Sequence, residues 1–320
     1  MKITVVVRTY KRPQFLKEAL ASIQLQTHKD WEVLIFDDAG SIENFEIYTK
    51  FKSYNPDKRI MYITSKQEYE LFQNSWLLAP DLAKGEVMVR LDDDDLLVND
   101  SLEFISETYE KNPELEFSYG SAYNFNDDGL IMLHTTINPF EAPKTKANWT
   151  GYTIANNHPW THPWSWTTDF FKEPENYSSL IHCAKANIFC IIHTYVMRTE
   201  SVKRVKDKIE MTSKYIDDLE FLGSLDYLGL GHNAVKKPLC YIREHGSGRI
   251  TDPGKVVDGI NIWQENYRIR DKVDYLRKSG FLSKIIPLES DKNHNEGGVT
   301  DTARDTFKAY QNRIKELITG

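Results

Sequence analysis

Short apolar runs alternate with amphipathic stretches along the first part of the chain. Four runs rich in β-branched residues predict buried strands, at residues 3–7, 31–36, 59–64 and 86–91. Between them, apolar residues recur at helical spacing and predict helices that start at Pro13, start at Ile42 and cover residues 69–79. Strands that alternate with helices over short links are typical of a parallel sheet with right-handed crossovers. We therefore expect an α/β fold with a Rossmann-like, mostly parallel sheet flanked by helices.

The hydrophobic pattern becomes less regular after residue 95. An Asn126-Asp-Asp-Gly129 turn between apolar runs at 115–124 and 130–135 predicts a hairpin. Further strands are expected at 188–196 and 239–243, and helices at 101–109, 199–206, 216–228 and 302–318. Residues 137–180 are irregular and aromatic, and a charged, helical extension follows Gly254. These changes divide the chain into residues 1–100, 101–250 and 251–320.

Composition narrows the class of protein. The chain has 320 residues, 40% of them hydrophobic, with a net charge of −7 and three cysteines. The acidic balance argues against a broad basic surface for nucleic acid or an anionic membrane. The amino-terminal strand is too short for a signal-peptide core, and we see no transmembrane segment, because no apolar run approaches the length of a membrane span. Few cysteines suit a reducing compartment, so we expect a cytoplasmic protein, or at most one peripheral to a membrane.

Polar residues follow the first, second and fourth predicted strands. They are Arg8-Thr-Tyr-Lys-Arg12, Asp37-Asp38 and Asp92-Asp-Asp-Asp95. Because the carboxyl ends of strands in an open α/β sheet meet at a ligand-binding crevice, we expect these residues to converge. Four adjacent carboxylates repel one another unless a cation neutralises them, and a hard divalent cation takes carboxylate and phosphate oxygens. The alternative is a solvated acidic loop or helix start, since Asp favours turns and N-caps.

Taken together, the motifs resemble the family 2 glycosyltransferases of the GT-A fold. Members carry, in this order, a strand ending in Thr-Tyr-Asn-Arg-Pro, a strand ending in Asp-Asp, an Asp-x-Asp-Asp, a Glu-Asp pair and a late His. The matching segments here are Val5-Val-Val-Arg-Thr-Tyr-Lys-Arg-Pro13, Gln24-Leu-Gln-Thr27, Trp31-Glu-Val-Leu-Ile-Phe-Asp-Asp38, Lys84-Gly-Glu86, Leu91-Asp-Asp-Asp-Asp95, Asp217-Asp218 and His245-Gly-Ser247. The resemblance covers residues 1–250 and implies a GT-A fold, with a donor-binding half at 1–100, an acceptor-binding half at 101–250 and a helical extension at 251–320.

The resemblance also implies an activity. It is the transfer of a sugar from a nucleotide-diphosphate donor, usually UDP-linked, to an acceptor hydroxyl, with the help of Mn²⁺ or Mg²⁺. The implied donor-binding residues are Thr9, Arg12, Asp38, Asn74, Asp92 and Asp93, the implied metal ligands are Asp94 and His245, and the implied catalytic base is Asp218. Asp217 stands where the family has Glu and is the alternative base. Lys11 stands where the family frequently has Asn, and Gln73 stands where it frequently has Arg. The change at Gln73 weakens the expected contact with the nucleobase, so the identity of the donor nucleotide stays open.

Three further residues are candidates on chemical grounds. Arg249 lies in a glycine-rich loop and is a candidate contact to the diphosphate, although a surface arginine is the equal alternative. Trp164 and Trp166 lie in the irregular aromatic segment and are candidates for stacking on a sugar, although aromatic side chains more often fill a core. The acceptor is expected to be a saccharide or glycoconjugate.

The chemistry of the transfer suits these residues. A departing nucleoside diphosphate develops negative charge that a metal stabilises, and an inverting transfer needs one carboxylate to take the acceptor proton. Two other functions remain open. A sugar-nucleotide nucleotidyltransferase would need a glycine-rich first loop, where this chain has Arg8-Thr-Tyr-Lys-Arg12. A carbohydrate- or partner-binding module on the same fold would bind donor without transferring the sugar.

Overall fold

The computed structural model describes most of the chain on either side of one long central segment. The described residues are 1–38, 40–65, 70–134, 195–245, 256–257, 259–262, 264–265, 268–269, 271–272, 275, 286, 288 and 299–319. The aromatic segment predicted at 137–180 and most of the strand predicted at 188–196 lie outside the described residues.

The first four strands form a parallel sheet, as the hydrophobic pattern predicts. They are β1 (Ile3–Thr9), β2 (Trp31–Asp37), β3 (Ile60–Thr64) and β4 (Val87–Asp92). Their order is β3-β2-β1-β4, and Val5 of β1 pairs with Val33 on one side and Val89 on the other. Both β1 and β2 are buried along their whole length. This burial explains why each strand is a continuous apolar run and not an alternating one.

Three helices connect these strands and cover both faces of the sheet. They are α1 (Pro13–Gln24), α2 (Ile42–Tyr54) and α3 (Glu70–Leu82). The α1 side chains pack with Val5 and Val7 in one core cluster, whereas Trp76 of α3 packs with Val6 in another. The hydrophobic pattern predicts a third helix that ends at Ala79, and Pro80 follows it. The helix continues for almost one more turn because Ala79 and Ala83 are buried and stay hydrogen-bonded at 2.9 Å.

The sheet continues into the second half of the chain. Its further strands are β5 (Leu96–Leu97), β6 (Phe117–Asn126), β7 (Gly129–His134), β8 (Tyr195–Arg198) and β9 (His232–Arg243). Among the described residues the order is β3-β2-β1-β4-β8-β6-β9-β5, with β7 paired to β6. Strand β8 is antiparallel to β4 and β6, and β9 is parallel to β6. The predicted hairpin is confirmed as β6 and β7, and this sheet, nine-stranded over the described residues, carries residues from both halves to a shared edge. A separate antiparallel pair, β10 (Val256–Val257) and β11 (Ile260–Asn261), lies where the sequence predicted a helical extension.

Strand β9 is longer than predicted. It begins at His232, seven residues before the predicted start at Leu239. The sequence hides this part of the strand because Pro238 lacks a backbone donor and normally interrupts strands. The pairing with β6 shifts at this point, since Gly120 faces Val235 while the next residue faces Pro238. The irregular register accommodates the proline, as β-bulges commonly do.

Helices also follow the prediction in the second half. They are α4 (Ser101–Lys111), α5 (Thr199–Val205), α6 (Asp217–Tyr227) and α7 (Asp301–Thr319). The last helix packs Phe307 and Tyr310 into a core cluster with Phe125 and Tyr241. Within the described part of the chain, no helix is both long enough and apolar enough to span a membrane.

Candidate functional site

The four consecutive aspartates form a tight turn between β4 and β5. The backbone N–H of Asp95 donates to the carbonyl of Asp92 at 3.2 Å. Asp93 and Asp95 are buried, with 0% and 1% of their surface exposed. The side chains of Asp92 and Asp94 remain 15% and 18% exposed at the edge of the sheet. The turn therefore buries two carboxylates and leaves two partly exposed, and it is not a solvated acidic loop.

Arg12 neutralises the Asp93 and Asp94 carboxylates of this turn. Its guanidinium donates to both carboxylate oxygens of Asp93 and, at 2.5 Å, to Asp94. Thr9 at the end of β1 donates its hydroxyl to Asp93 at 2.7 Å. Thr9, Arg12, Asp93 and Asp94, which the sequence predicted to share a site, are thus in direct contact, and a charged fork of this kind fixes their geometry.

Burial and charge act in opposite directions on these groups. Burial raises the pKa of Asp93 above its usual value, and the adjacent Asp94 and Asp92 add to this effect, while Arg12 opposes it. Burial also disfavours the charged form of Arg12, but the attraction of Asp93 and Asp94 raises the pKa of the guanidinium above its usual value. Arg12 therefore stays charged beside a carboxylate whose charge is costly.

Asp94 and His245, the two predicted metal ligands, meet at this edge. The Nε2 atom of His245 lies 3.0 Å from Oδ2 of Asp94, and its ring packs 5.2 Å from that of Phe15. Among the described residues, no group of three or more His, Cys, Asp or Glu side chains is arranged to hold a metal ion. One carboxylate and one imidazole suit a divalent cation that completes its shell with phosphate oxygens. The residues present therefore fit a metal that is shared with a bound diphosphate.

Arg243 at the end of β9 is a site residue that the sequence did not reveal. Its backbone N–H donates to Asp95 at 3.0 Å, and its Nε donates to the carbonyl of Asp94 at 3.0 Å. Its guanidinium also contacts Glu18 of α1. The available signal was its place at the end of a strand, two residues before His245.

The end of β2 contributes a second pair of carboxylates. The backbone N–H of Asp38 donates to the carbonyl of Thr9 at 3.0 Å, and Asp38 is only 1% exposed. Asp37 accepts from the hydroxyl of Tyr62 and, at 3.1 Å, from the backbone of Ser41. Asp38 is thus beside Thr9, as expected. Asn74 lies partly exposed on α3, and the donor contacts of Asp38 and Asn74 stay predictions.

Two buried arginines connect the acidic turn to α6. Arg90 donates to both oxygens of Asp92, at 3.0 and 3.1 Å, and its guanidinium lies 4.7 Å from the ring of Trp76. Arg8 lies 3.6 Å from Asp92 and donates to Asp217, which also accepts from the indole of Trp76 at 2.6 Å. These contacts join β1, β4, α3 and the first turn of α6.

The two aspartates at the start of α6 have different surroundings. Asp217 is buried and paired with Arg8, whereas Asp218 is partly exposed. Both carboxylates, after Asp92, contribute to raising the pKa of the buried Arg90 above its usual value, against the effect of its burial. The geometry thus distinguishes two residues that the sequence left as alternatives. Arg249, Trp164 and Trp166 lie outside the described residues, and their roles stay predictions.

A comparison with known families identifies the chain. The profile of the family described as Glycosyl transferase family 2 matches residues 4–203. The chain therefore belongs to glycosyl transferase family 2, and the prediction of a family 2 glycosyltransferase is confirmed. The matched range runs from β1 to β8 and contains the acidic turn, but it ends before Asp217 and His245.

Individual relatives match the first part of the chain. An uncharacterised glycosyltransferase of Rickettsia conorii is 34% identical over 131 residues, which are 41% of this chain and 21% of that protein. The GalNAc(5)-diNAcBac-PP-undecaprenol beta-1,3-glucosyltransferase of Campylobacter jejuni is 35% identical over 104 residues, which are 32% of each chain. The chain thus spans about a fifth to a third of the length of these relatives.

A solved structure shares the fold over most of the chain. TarS 1–349 of S. aureus, in complex with UDP-GlcNAc, superposes with a TM-score of 0.52 over 86% of this chain and 70% of its own, at 13% identity. At that identity the likeness concerns the fold alone, and it confirms the predicted GT-A fold.

Proposed function

We propose that this protein is a metal-dependent, inverting glycosyltransferase that moves a sugar from a nucleotide-diphosphate donor, with UDP as the first nucleotide to test, to an acceptor hydroxyl. The observation that carries the proposal is that the acidic turn, Arg12 and His245 meet at the sheet edge. Asp218 lies in the first turn of α6. Cations and partly exposed carboxylates at the end of parallel strands are the groups that a donor diphosphate and its metal require.

Asp218 is the proposed base. As the acceptor oxygen attacks the anomeric carbon, Asp218 takes the hydroxyl proton, and the nucleoside diphosphate leaves with the electron pair of the broken bond. Its place in the first turn of α6 favours the ionised form, because the helix dipole stabilises an anion there. Asp217 is committed to Arg8 and Trp76, so we assign it to positioning.

The donor side is assigned to the residues of the acidic turn. Asp94 and His245 would hold Mn²⁺ or Mg²⁺, which, when bound, supplies Lewis-acid stabilisation of the leaving diphosphate. Arg12 keeps Asp93 in place and contributes positive charge beside that position. We assign Thr9, Asp38, Asn74 and Asp92 to the nucleotide, in line with the resemblance, and Arg249, Trp164 and Trp166 to the diphosphate and acceptor.

Replacing the proposed base tests the activity. Asp218→Asn should lower kcat by about 10²–10⁴-fold, the usual contribution of general base catalysis, while the affinity for UDP with Mn²⁺ stays unchanged. Asp127→Asn is the matched control, because Asp127 is exposed in the turn between β6 and β7. A screen of nucleotide-sugars for Mn²⁺-dependent hydrolysis supplies the turnover assay. Full activity of Asp218→Asn would remove this residue as the base.

Replacing the proposed metal ligand tests the donor site. Asp94→Asn keeps the size of the side chain but removes the charge that a divalent cation needs, so titration calorimetry should show loss of Mn²⁺-dependent UDP binding. If UDP binds wild type tightly but no nucleotide-sugar turns over, the protein is a binding module on this fold. If the variant binds UDP and Mn²⁺ like wild type, the metal assignment is wrong.

A further inference from the structure

The last helix contacts β5, which follows the acidic turn, and also packs against β6 and β9. Phe307 of α7 packs against Tyr241 of β9, with ring centroids 4.6 Å apart, and against Phe125 of β6, at 5.0 Å. Tyr310 follows one turn later, and its hydroxyl donates to the carbonyl of Leu97 in β5 at 2.8 Å. Phe307 and Tyr310 are 1% and 4% exposed. The helix therefore touches the strand after the turn and the strand that precedes His245.

Arg243 connects this aromatic cluster to the acidic turn. Its guanidinium lies 4.6 Å from the ring of Phe125, on which Phe307 also packs. The same side chain donates to the carbonyl of Asp94 at 3.0 Å, and the backbone N–H of Arg243 holds Asp95 at 3.0 Å. A continuous set of contacts thus runs from α7 through Phe125 and Arg243 to the backbone that carries Asp94.

We infer that α7 is a positioning element of the donor-diphosphate site, acting through Phe307, Phe125 and Arg243 on the acidic turn. The inference rests on the proposed function. Neither Phe307 nor Arg243 is assigned a contact with the donor; they set the position of the Asp94 carboxylate and of His245. The turn needs such backing because adjacent carboxylates repel one another. Arg12 holds side chains of the turn, whereas Arg243 also holds its backbone.

A helix that merely stabilises the fold would give a different result from a positioning element. If the helix were purely structural, loss of a packing contact would lower the free energy of unfolding of the chain. The affinity of the folded protein for its ligand would stay unchanged. Ile314 supplies the matched control, because it is buried in the same cluster on the same helix and lies about two turns beyond Phe307. Phe307→Leu and Ile314→Val each remove a small apolar volume, so they are comparable in their effect on packing.

Two measurements on the full chain test the inference. Titration calorimetry with UDP and Mn²⁺ should show about tenfold weaker binding for Arg243→Met, the usual effect of losing a residue that orients a ligand-binding group, and a smaller loss for Phe307→Leu. Hydrogen exchange of a peptide over residues 92–98 should be faster in both variants. Ile314→Val should match wild type in both measurements, and adding Phe307→Leu to Arg243→Met should weaken binding no further.

The outcomes separate this inference from the proposed function. Equal effects of Phe307→Leu and Ile314→Val, or independent losses in the double variant, would overturn the positioning role of α7. Faster exchange without any change in UDP affinity would overturn it as well. If wild type binds no nucleotide, the proposed function fails, and unchanged exchange at residues 92–98 in Phe307→Leu then refutes the link from α7 to the turn.

Discussion

The buried ion pair between Arg8 and Asp217 is expected to contribute strongly to the free energy of unfolding. The two side chains are 5% and 4% exposed, and they join β1 to α6 across 209 residues of chain. Asp217→Asn removes the charge and leaves Arg8 with Asp92 at 3.6 Å, while the new amide oxygen still accepts from Trp76. Breaking a buried pair costs about 3–5 kcal/mol and the retained hydrogen bond restores about 1 kcal/mol, so we expect a loss of about 2–4 kcal/mol.

Urea denaturation of a small variant set measures this loss. Arg8→Met should cost about 3–5 kcal/mol, because it leaves Asp217 charged and buried beside the indole donor of Trp76. The double variant should cost less than the sum of the two single variants, since each single change already breaks the pair. Asp207→Asn is the control at an exposed position, where the side chain is 89% exposed, and it should match wild type.

The same variants separate positioning from catalysis. Asp218→Asn should leave the free energy of unfolding unchanged while kcat falls, whereas Asp217→Asn should lower stability and affect kcat only through the position of α6. Additive single variants, or an Asp217→Asn protein as stable as wild type, would refute the buried pair. A normal kcat in Asp218→Asn combined with a 10²–10⁴-fold loss in Asp217→Asn would reverse the two roles.

Two further predictions concern the scaffold. Burial lowers the pKa of His232 from 6.5 to about 4 in the folded chain, so between pH 7.5 and 5 only the unfolded state takes up this proton. On acidification over this range, wild type should therefore lose about 2 kcal/mol more stability than His232→Gln. Urea melts at the two pH values measure both losses, and equal losses would contradict the prediction. Gly85→Ala would place a Cβ 2.5 Å from the backbone nitrogen of Thr4, which is too close for either atom. The free energy of unfolding should therefore fall by about 1–3 kcal/mol or more, as seen from thermal unfolding. An unchanged unfolding midpoint would disprove the close approach.

The parallel half of the fold was predictable because its signals are local. Buried strands and amphipathic helices each show their own periodicity, and the rule that strand ends share one crevice is enough to place Thr9, Arg12 and the acidic turn together. Strand β9 was predicted only in part. Its first seven residues gain their strand character from pairing with β6 around Pro238, and this pairing is not visible in the local sequence.

Arg243 shows why part of the site could not be predicted. Its contacts with Asp94 and Asp95 join residues that are 149 and 148 positions apart. An arginine at the end of a strand gives no local sign of such partners, and the packing of α7 behind it involves residues still further along the chain. Only the assembled sheet brings these distant segments to one edge.

Neighbouring aspartates also have different surroundings that the sequence alone does not predict. Asp93, Asp95 and Asp217 are buried and held by Arg12, Arg243 and Arg8, whereas Asp92, Asp94 and Asp218 are the more exposed member of each neighbouring pair. Because a buried carboxylate is costly unless a cation or donor holds it, each anchored aspartate fixes the backbone of its neighbour. A sequence gives the number of carboxylates but not which of them are buried, since burial depends on the donors and cations that the fold brings to each one. The partly exposed member of each pair is the residue proposed to contact the nucleotide, the metal or the acceptor proton, and Arg90 and Arg12 also hold Asp92 and Asp94 in place.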